Sequence, residues 1–338
     1  MRGSGQRGGP KVLVVKRDGL RLFIEAEPAF AAIRRAHPGA TIDLVTSPQM
    51  QRLAKCAPFF DRVVATRPMT TPQDKRELAA QLKKVGYSVA YDLDGTRESM
   101  ELRGMLKGFR APTWVGPRRK LQDTKNSLKP SPLAGPGMRK LLHESGLEIE
   151  QRLPDLSWSA SPDKGSANLD PSWFGVSGDF ALFIPAANAA HRWPAENYAA
   201  VAAIMAQDNV TPVILGNQEL GAYAYDVMQL TADMQGGQGR AAVDLSGKAD
   251  AAQMSVLARH AQFFLAGPSD ELHLVAAAGT PGVVLVPASE DLPSDALFGR
   301  DVVKLTASNM GNLTPDLALS TLKNMGLLRV SQGRHAFG

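Results

Sequence analysis

Two kinds of sequence pattern alternate along most of this 338-residue chain: short apolar runs rich in β-branched residues, and longer stretches with helical periodicity. Continuous apolar runs are typical of buried parallel strands, which need a crossover, usually a helix, between them. In the first half the runs cover residues 11–16, 41–46, 62–65 and 89–93, and the helical stretches cover 26–37, 48–57 and 75–85. This alternation predicts a doubly wound α/β sheet.

The alternation lapses twice and then resumes. Pro and Gly concentrate at about residues 111–136 and again at 153–179, which is typical of loops and linkers. Strands are then predicted at 180–184, 211–215, 242–245, 263–266 and 283–286, and helices at 195–207, 218–230, 251–261, 271–278 and 314–323. The sequence therefore predicts two Rossmann-like domains, residues 11–165 and 175–325, that face each other across a cleft. Ligands of such sheets bind at the carboxyl ends of the strands.

The composition excludes several other classes of protein. A single cysteine, Cys56, makes an intrachain disulfide impossible, and no run of about 18 apolar residues could form a membrane-spanning helix. Residues 1–10 are polar and glycine-rich and lack the apolar core of a secretory signal. We therefore expect a cytoplasmic protein.

Positive charge is concentrated in one segment of a chain whose net charge is +5. Residues 97–140 hold eleven Lys or Arg against three acids, a net charge of +8. Such a block attracts phosphates or an anionic membrane surface, although it is equally typical of a solvated loop. With only Phe109 and Trp114 as aromatic residues, it lacks the stacking pattern of proteins that bind single-stranded nucleic acid. We expect an anionic partner and no nucleic acid.

Three loops of the second half carry candidate ligand-binding residues, each directly after a predicted strand. His191 and Arg192 follow the first strand, Glu219 follows the second, and Ser269 and His273 follow the fourth. A carboxylate at a strand end can accept hydrogen bonds from ribose hydroxyls. A helix start with a hydroxyl, a histidine and free N–H groups suits a diphosphate. Together the three loops predict a nucleotide site.

Each of these residues also has an ordinary structural interpretation. Glu219 could be a charge at a helix start, Ser269 a helix cap, and His273 a buried core histidine. Trp193 is more typical of a packing anchor than of a stacking platform. Asp270 would repel a phosphate bound at the same helix start. These alternatives stay open at the level of the sequence.

Six short motifs, four in the second half of the chain and two in the first, together carry a resemblance to a known family. They read His191-(x)-Trp193-Pro194-(x)-Glu196-(x)-Tyr198, Leu215-Gly216-(x)2-Glu219, Asp244-Leu245-Ser246-Gly247-Lys248, Ser269-(x)3-His273-Leu274-(x)-Ala276-Ala277-(x)-Gly279-Thr280-Pro281, residues 12–16 followed by Pro28-Ala29, and Tyr91-Asp92-Leu93-Asp94-Gly95. Over about residues 11–325 the chain resembles glycosyltransferase family 9, the ADP-heptose:lipopolysaccharide heptosyltransferases.

The resemblance implies a GT-B fold and a transferase that extends a lipopolysaccharide core. It implies a nucleotide-sugar donor, ADP-linked as in the family, and an anionic glycan or glycolipid acceptor, with peripheral contact to the inner membrane surface as one option. The donor is a substrate, so no separate cofactor is expected. It would be bound by His191, Arg192, Glu219, Ser269 and His273. The chain contains no H-x-x-x-H motif, and the resemblance implies a metal-independent inverting displacement.

The chain departs from the family pattern at its site loops. Where the family has the aspartate that acts as general base, the aligned pair is Arg21-Leu22. The family's phosphate-binding lysine is replaced by His191, and the aspartate and glycine of its D-S-G-P turn are Pro268 and Asp270. These changes keep a second hypothesis open, a catalytically silent GT-B relative that serves as a binding or scaffold protein.

Two other carboxylates could replace the missing base. An inverting transfer needs a carboxylate or a histidine within hydrogen-bond reach of the attacking hydroxyl. Asp18 lies in the loop after the first strand, and Glu25 lies near the start of the next helix. Asp18 is the better placed, because strand-end loops border the ligand site. Both residues also have ordinary interpretations, as a turn residue and as a helix-start acid. We name Asp18 and Glu25 as candidate catalytic residues.

Overall fold

A computed structural model describes residues 9–67, 71–108, 110–117, 141–160, 168–236, 241–289 and 301–329. The chain divides into two compact units, Met1–Gly165 and Ser166–Gly338, and each is built around one parallel sheet with helices packed against it. The α/β class predicted from the alternating pattern is therefore confirmed.

The first unit holds five parallel strands in the order β3-β2-β1-β4-β5. The strands are β1 (Lys11–Val15), β2 (Thr41–Thr46), β3 (Arg62–Ala65), β4 (Val89–Asp92) and β5 (Thr113–Val115). The helices are α1 (Leu20–Glu25), α2 (Glu27–Ala36), α3 (Gln51–Cys56), α4 (Pro72–Val85) and α5 (Arg97–Met105). The chain runs outward from β1 to β3 and then returns to the other side of β1. The topological switch point therefore lies between β1 and β4.

The second unit holds six parallel strands in the order β11-β10-β9-β6-β7-β8. The strands are β6 (Phe180–Ile184), β7 (Thr211–Ile214), β8 (Val243–Asp244), β9 (Phe264–Ala266), β10 (Gly282–Pro287) and β11 (Val302–Ala307). The helices are α6 (Ala195–Met205), α7 (Gly221–Met234), α8 (Ala251–His260), α9 (Asp270–Ala277) and α10 (Pro315–Asn324). By the same reasoning, the switch point of this sheet lies between β6 and β9.

The central strands and the edge strands differ in how well the sequence predicts them. Every residue of β6 is buried, because both faces of a parallel sheet are covered, and this gives the continuous apolar run. The edge strands β5 and β11 are short or only partly buried, so they lack such a run and were not predicted. The predicted helix at 26–37 is preceded by a separate helix, α1, which was also missed. None of the helices in the described part of the chain is both long and apolar enough to cross a membrane.

An ion pair between Arg152 and the buried Glu27 connects residues 141–160 to α2. Glu27 is 2% exposed. Its carboxylate accepts hydrogen bonds from both Nη atoms of Arg152, at 2.6 and 2.9 Å, and from the N–H of Asp155 at 3.1 Å. Removing one partner of a buried pair leaves the other charge uncompensated. The arginine is partly exposed, so the expected penalty lies below the range for fully buried pairs.

Arg152→Ala is therefore expected to lower the free energy of unfolding by about 2 kcal/mol. Urea denaturation checks this through a lower midpoint at an unchanged slope. Arg35→Ala is the matched control, because Arg35 contacts Glu150 of the same segment at 3.4 Å and both side chains are about half exposed. The control is expected to cost less than about 0.5 kcal/mol. Equal losses in the two variants would contradict the buried-pair argument.

Candidate functional site

The loops that leave β6 and β9 contact each other at the switch point of the second sheet. The N–H of Gly267 donates to the Ile184 carbonyl at 2.8 Å, and the N–H of Ala187 donates to the Pro268 carbonyl at 3.3 Å. A Cβ atom at position 267 would lie 2.8 Å from the nitrogen of Ala186, closer than such contacts allow. The small residues of these loops therefore serve first to let the two loops approach each other.

The side chain of Arg192 is hydrogen-bonded to the backbone of the loop that follows β6. Its Nε and Nη2 donate to the carbonyls of Ala186 and Ala187, both at 3.0 Å, and its guanidinium lies 4.9 Å above the centre of the Tyr223 ring. The backbone and a cation–π contact thus hold this positive charge at the sheet edge. His191, the residue before it, is half-buried at the end of a short 3₁₀ turn.

Ser269 and His273 lie at the start of α9, beside the switch point. The buried Ser269 hydroxyl accepts the N–H of Leu272 at 3.2 Å and is the N-cap of the helix. His273 is buried one turn further on. Asp270 is exposed on the first turn, and burial raises the pKa of the Glu271 carboxyl. The helix start therefore carries two carboxyl groups beside its amides.

Glu219 lies one strand further along the same edge, in the loop after β7. Its side chain is exposed, and its N–H donates to the Asn217 side chain at 3.0 Å. Gly247, in the turn after β8, packs on this loop and donates its N–H to the Gly216 carbonyl at 2.8 Å. A Cβ there would lie 2.9 Å from the Cα of Gln218, and the φ of +68° also favours glycine. The turn after β8 thus supports the Glu219 loop.

The five residues predicted to bind the nucleotide-sugar donor follow three neighbouring strands of one sheet. Ser269 and His273 follow β9, His191 and Arg192 follow β6, and Glu219 follows β7. Neighbouring strands are about 4.8 Å apart, so the two outer loops are separated by about 10 Å, comparable with the length of a nucleoside diphosphate. The sequence could not supply this order, because β9 is the fourth strand of the unit along the chain and yet pairs with the first.

Buried charged side chains form a second group, at the switch point of the first sheet. The Oδ1 of Asp18 lies 2.8 Å from the Nζ of Lys16, which also donates to the Leu93 carbonyl at 3.0 Å. The Oδ1 of Asp94 accepts the N–H of Arg17 at 2.6 Å. Lys16 is 1% exposed and Asp94 is 6% exposed. Sequence reasoning did not select either as a site residue, although both follow strands that flank the switch point.

Burial dominates the electrostatics of this group. Burial, followed by the nearby charge of Asp18, holds the pKa of Asp94 well above its ordinary value, against the opposing effect of Lys16. Burial also raises the pKa of Asp92, although three hydrogen-bond donors from the following turn and helix oppose the shift. Two carboxyl groups whose pKa is raised by burial, those of Asp92 and Asp94, therefore lie at this strand edge.

Glu25 belongs to a different ion pair. It ends α1, with its carboxylate 3.2 Å from an Nη of Arg21 one turn earlier, and both side chains are buried. Leu22, at the position where the family has its base, lies on the same helix and is half-buried. The structure thus places the two candidate bases in separate contacts, and only Asp18 lies in the cluster at the switch point.

Most of the predicted basic segment lies outside the described residues. Residues 118–140, which include seven of its eleven Lys and Arg, are not covered. In the covered part, Arg97 pairs with Glu101 at 3.0 Å on α5 and is largely exposed. Within the described ranges, no group of three or more His, Cys, Asp or Glu is placed to hold a metal ion.

Comparison with protein families matches residues 75–292 to glycosyltransferase family 9 (heptosyltransferase), which is more than half of the chain. The chain belongs to glycosyltransferase family 9. The matched segment of this family 9 protein includes Asp94 and all five predicted donor residues, whereas Asp18 and Glu25 precede it. No curated protein matches the chain.

Solved structures of heptosyltransferases share the fold. Escherichia coli ADP-heptose lipopolysaccharide heptosyltransferase II is 18% identical, with 93% of this chain and 98% of that chain covered and a TM-score of 0.73. A family 9 glycosyltransferase from Veillonella parvula is 16% identical, with 94% and 97% covered and a TM-score of 0.70. E. coli heptosyltransferase WaaC with ADP is 16% identical, with 93% and 99% covered and a TM-score of 0.66. The two parallel-sheet units thus match GT-B heptosyltransferase structures, which confirms the predicted fold.

Proposed function

We propose that this family 9 protein transfers a sugar from an ADP-linked nucleotide sugar to a hydroxyl of an anionic glycan or lipopolysaccharide-type acceptor. The reaction is a metal-independent inverting displacement. One observation carries the proposal: the five predicted donor residues lie on three neighbouring strand ends around the switch point of the second sheet. The similar WaaC protein has been solved with ADP and with ADP-2-deoxy-2-fluoro heptose, which supports an ADP-linked donor here.

Each donor residue then has a role that follows from its place at the edge. Arg192, fixed by two carbonyls and an aromatic ring, supplies a preorganised positive charge for the diphosphate, and His191 lies beside it. Ser269 and His273 hold the start of α9, whose amides favour an anion. Glu219, exposed after β7, accepts hydrogen bonds from the ribose. These groups stabilise the diphosphate as it leaves.

The proposed acceptor binding is supported by one carboxylate of the first unit and by a basic segment. Asp18, at the edge of the first sheet, is the base that takes the proton of the acceptor hydroxyl. The basic segment 97–140 attracts an anionic acceptor. A glycolipid acceptor would bring a cytoplasmic enzyme to the inner membrane surface as a peripheral protein.

A specific observation also favours the alternative of a silent relative that binds without transferring. The Ser269 hydroxyl is already used as a helix cap, and the carboxyl groups of Asp270 and Glu271 share the helix start where a diphosphate would bind. Like charges at that position weaken anion binding. The two candidate functions differ in whether the protein binds a nucleotide sugar and releases ADP from it.

Isothermal titration calorimetry with ADP, ADP-heptose, UDP and GDP tests the proposal. We expect heat of binding with ADP and ADP-heptose that exceeds that with UDP and GDP, followed by release of ADP when a lipopolysaccharide acceptor is added. Binding without release of ADP would contradict the transfer step. An absence of heat with all four ligands would contradict the nucleotide site itself and support the silent relative.

Glu219→Ala tests whether the loop after β7 is part of the proposed nucleotide site. We expect it to weaken ADP binding about tenfold, because it removes charge-assisted hydrogen bonds to the ribose. The matched control is Asp233→Ala, which removes an exposed carboxylate near the far end of α7. The control is expected to bind ADP like the unaltered protein. Equal weakening in both variants would indicate a general charge effect.

A further inference from the structure

The cluster at the switch point of the first sheet consists of Lys16, Asp18, Asp92 and Asp94. β1 and β4 are neighbours in the sheet, and the residues that follow them meet at its carboxyl edge. We call this group the Asp18–Asp94 cluster. It differs from the family pattern at one place, since the aspartate expected at Leu22 is absent.

The carboxyl groups of Asp18 and Asp94 lie close together in this cluster. Asp94 is 6% exposed, and its Oδ1 accepts at 2.6 Å the N–H of Arg17, the residue next to Asp18. Burial, followed by the nearby charge of Asp18, raises the pKa of Asp94. Two carboxyl groups held together in a buried site favour a state in which one of them carries a proton.

The charges around the pair favour the same state. Lys16 is the cation that contacts the pair, with its Nζ within 3.0 Å of both oxygens of Asp18. Asp92 adds a further buried carboxyl to the cluster. The guanidinium of Arg17 contacts the carboxylate of Glu98 at 2.6 Å, so its charge is largely balanced elsewhere. One ammonium group thus faces three carboxyl groups, and a proton held between Asp18 and Asp94 reduces the excess negative charge.

An independent observation indicates that this edge takes a hydroxyl-bearing ligand. Three buried side-chain atoms at the ends of β1, β2 and β3 have no hydrogen-bond partner among the described residues, namely Arg17 Nε, Thr46 Oγ1 and Thr66 Oγ1. Neighbouring positions of these strands are joined by the bond from the Thr66 N–H to the Thr46 carbonyl at 2.9 Å. Buried polar atoms are normally paired, so unpaired ones grouped at one sheet edge favour a polar ligand that completes them.

We propose that Asp18 and Asp94 together form the general base of this protein, a carboxyl pair that takes up the proton of the acceptor hydroxyl. The proposal rests on the transferase function proposed above and names a second residue for it. The pair first releases its own proton to solvent, so that both carboxyl groups are ionised in the reacting state. The hydroxyl proton moves to Asp18 and is shared with Asp94, while the hydroxyl oxygen attacks the anomeric carbon. The bond from that carbon to the diphosphate breaks, and its electron pair leaves with the diphosphate.

Asp94 is a positioning residue in this scheme, since it acts through Asp18. Its charge and burial raise the proton affinity of the pair, and a stronger base is more effective at a hydroxyl whose proton is weakly acidic. An isolated aspartate beside a lysine would be a weaker base. The second carboxyl thus offsets the effect of Lys16, which contacts Asp18 directly.

Asp94→Asn tests the role of the second carboxyl without removing its hydrogen bonds. The amide oxygen can accept the Arg17 N–H, and the amide nitrogen can donate to Asp18, as a protonated Asp94 does. The variant lacks the like charge, so Asp18 ionises more readily. We expect the acid limb of the kcat/KM profile to move to lower pH by about one unit or more, and kcat to fall about tenfold.

Asp43→Asn is the matched control. Asp43 is a buried aspartate of β2 in the same sheet, and it is paired with Arg62 at 2.7 Å and with the Tyr87 hydroxyl at 2.6 Å. It lies away from the Asp18–Asp94 cluster, so its replacement is expected to lower stability without moving the acid limb. An unmoved acid limb in Asp94→Asn, or an equal movement in both variants, would overturn the proposal.

A measurement that needs no turnover separates this inference from the proposed function. Carboxyl-carbon NMR of protein labelled at aspartate is recorded from about pH 4 to pH 9. We expect one carboxyl signal to remain that of a protonated acid at about pH 5.5, well above the pKa of about 3.9 for an isolated aspartate, and to be lost in Asp94→Asn. If both groups are ionised at that pH, the shared proton is overturned even in an active enzyme. If the proton is present but no donor is turned over, the proposed function fails instead.

Discussion

Replacing Asp18 by asparagine is expected to lower kcat by about 10²–10⁴-fold while the KM for the nucleotide sugar changes little. The variant keeps the shape of the side chain but removes the carboxylate that accepts the hydroxyl proton. The residues that we propose to bind the nucleotide all belong to the second unit, so we expect nucleotide binding to be independent of this side chain. The measurement is release of ADP from ADP-heptose in the presence of a lipopolysaccharide acceptor.

Glu25→Gln provides the comparison for this prediction. It removes the other candidate carboxylate, which is buried and paired with Arg21 inside α1. We expect a loss of less than tenfold in kcat, arising from weaker packing of that helix. Unchanged turnover in both variants would exclude this assignment of the base. A larger loss in Glu25→Gln than in Asp18→Asn would transfer the role to Glu25.

Trp193→Ala is expected to cost the largest amount of stability, about 4 kcal/mol. Trp193 is 1% exposed, and its Nε1 donates to the Leu313 carbonyl at 2.6 Å. Its ring meets that of Tyr198 edge to face, with 4.9 Å between the ring centres. Alanine removes the buried ring and leaves a cavity that the packed surroundings of β6 and α6 cannot fill. Urea denaturation followed by far-UV circular dichroism measures the loss.

Two variants separate the contributions at this position. Trp193→Phe keeps most of the buried ring and loses only the Nε1 donor, and Asn197 still donates to the Leu313 carbonyl at 3.3 Å, so we expect a loss of about 1 kcal/mol. Trp173→Ala removes a tryptophan of the same unit that is 62% exposed, and it is expected to cost less than about 0.5 kcal/mol. If Trp193→Ala cost no more than this control, the packing argument would be wrong.

The sequence predicted every strand in which burial is enforced on both faces, together with the edge strands β3 and β8. The runs at 11–16 and 180–184 lie in β1 and β6, in the middle of their sheets, where polar residues are excluded. β11 was missed because an edge strand tolerates polar residues such as Lys304 and therefore breaks the apolar run. Helix α1 was also missed, whereas the helix predicted at 26–37 corresponds to α2.

The roles of the charged residues were less predictable than the strands. Arg192 was predicted from its place after a strand, but its fixed position depends on two carbonyls and on Tyr223, a residue of α7. Asp94 belongs to a motif that the sequence shows, yet nothing local marks it as the partner of Asp18. Its environment is set by the pairing of β1 with β4. Pairings of this kind join residues that are distant along the chain.

The sequence by itself determined the alternation of strands and helices, the family to which the chain belongs, and the loops in which candidate residues lie. These features follow from local periodicity and from motifs, which a linear pattern can carry. Only the tertiary structure decided that the loops after β9, β6 and β7 share one edge, and that Asp18 lies beside the buried Lys16 and Asp94. The physical reason is that strand order and burial set which charges meet and how strongly water screens them, and neither is written in the local sequence.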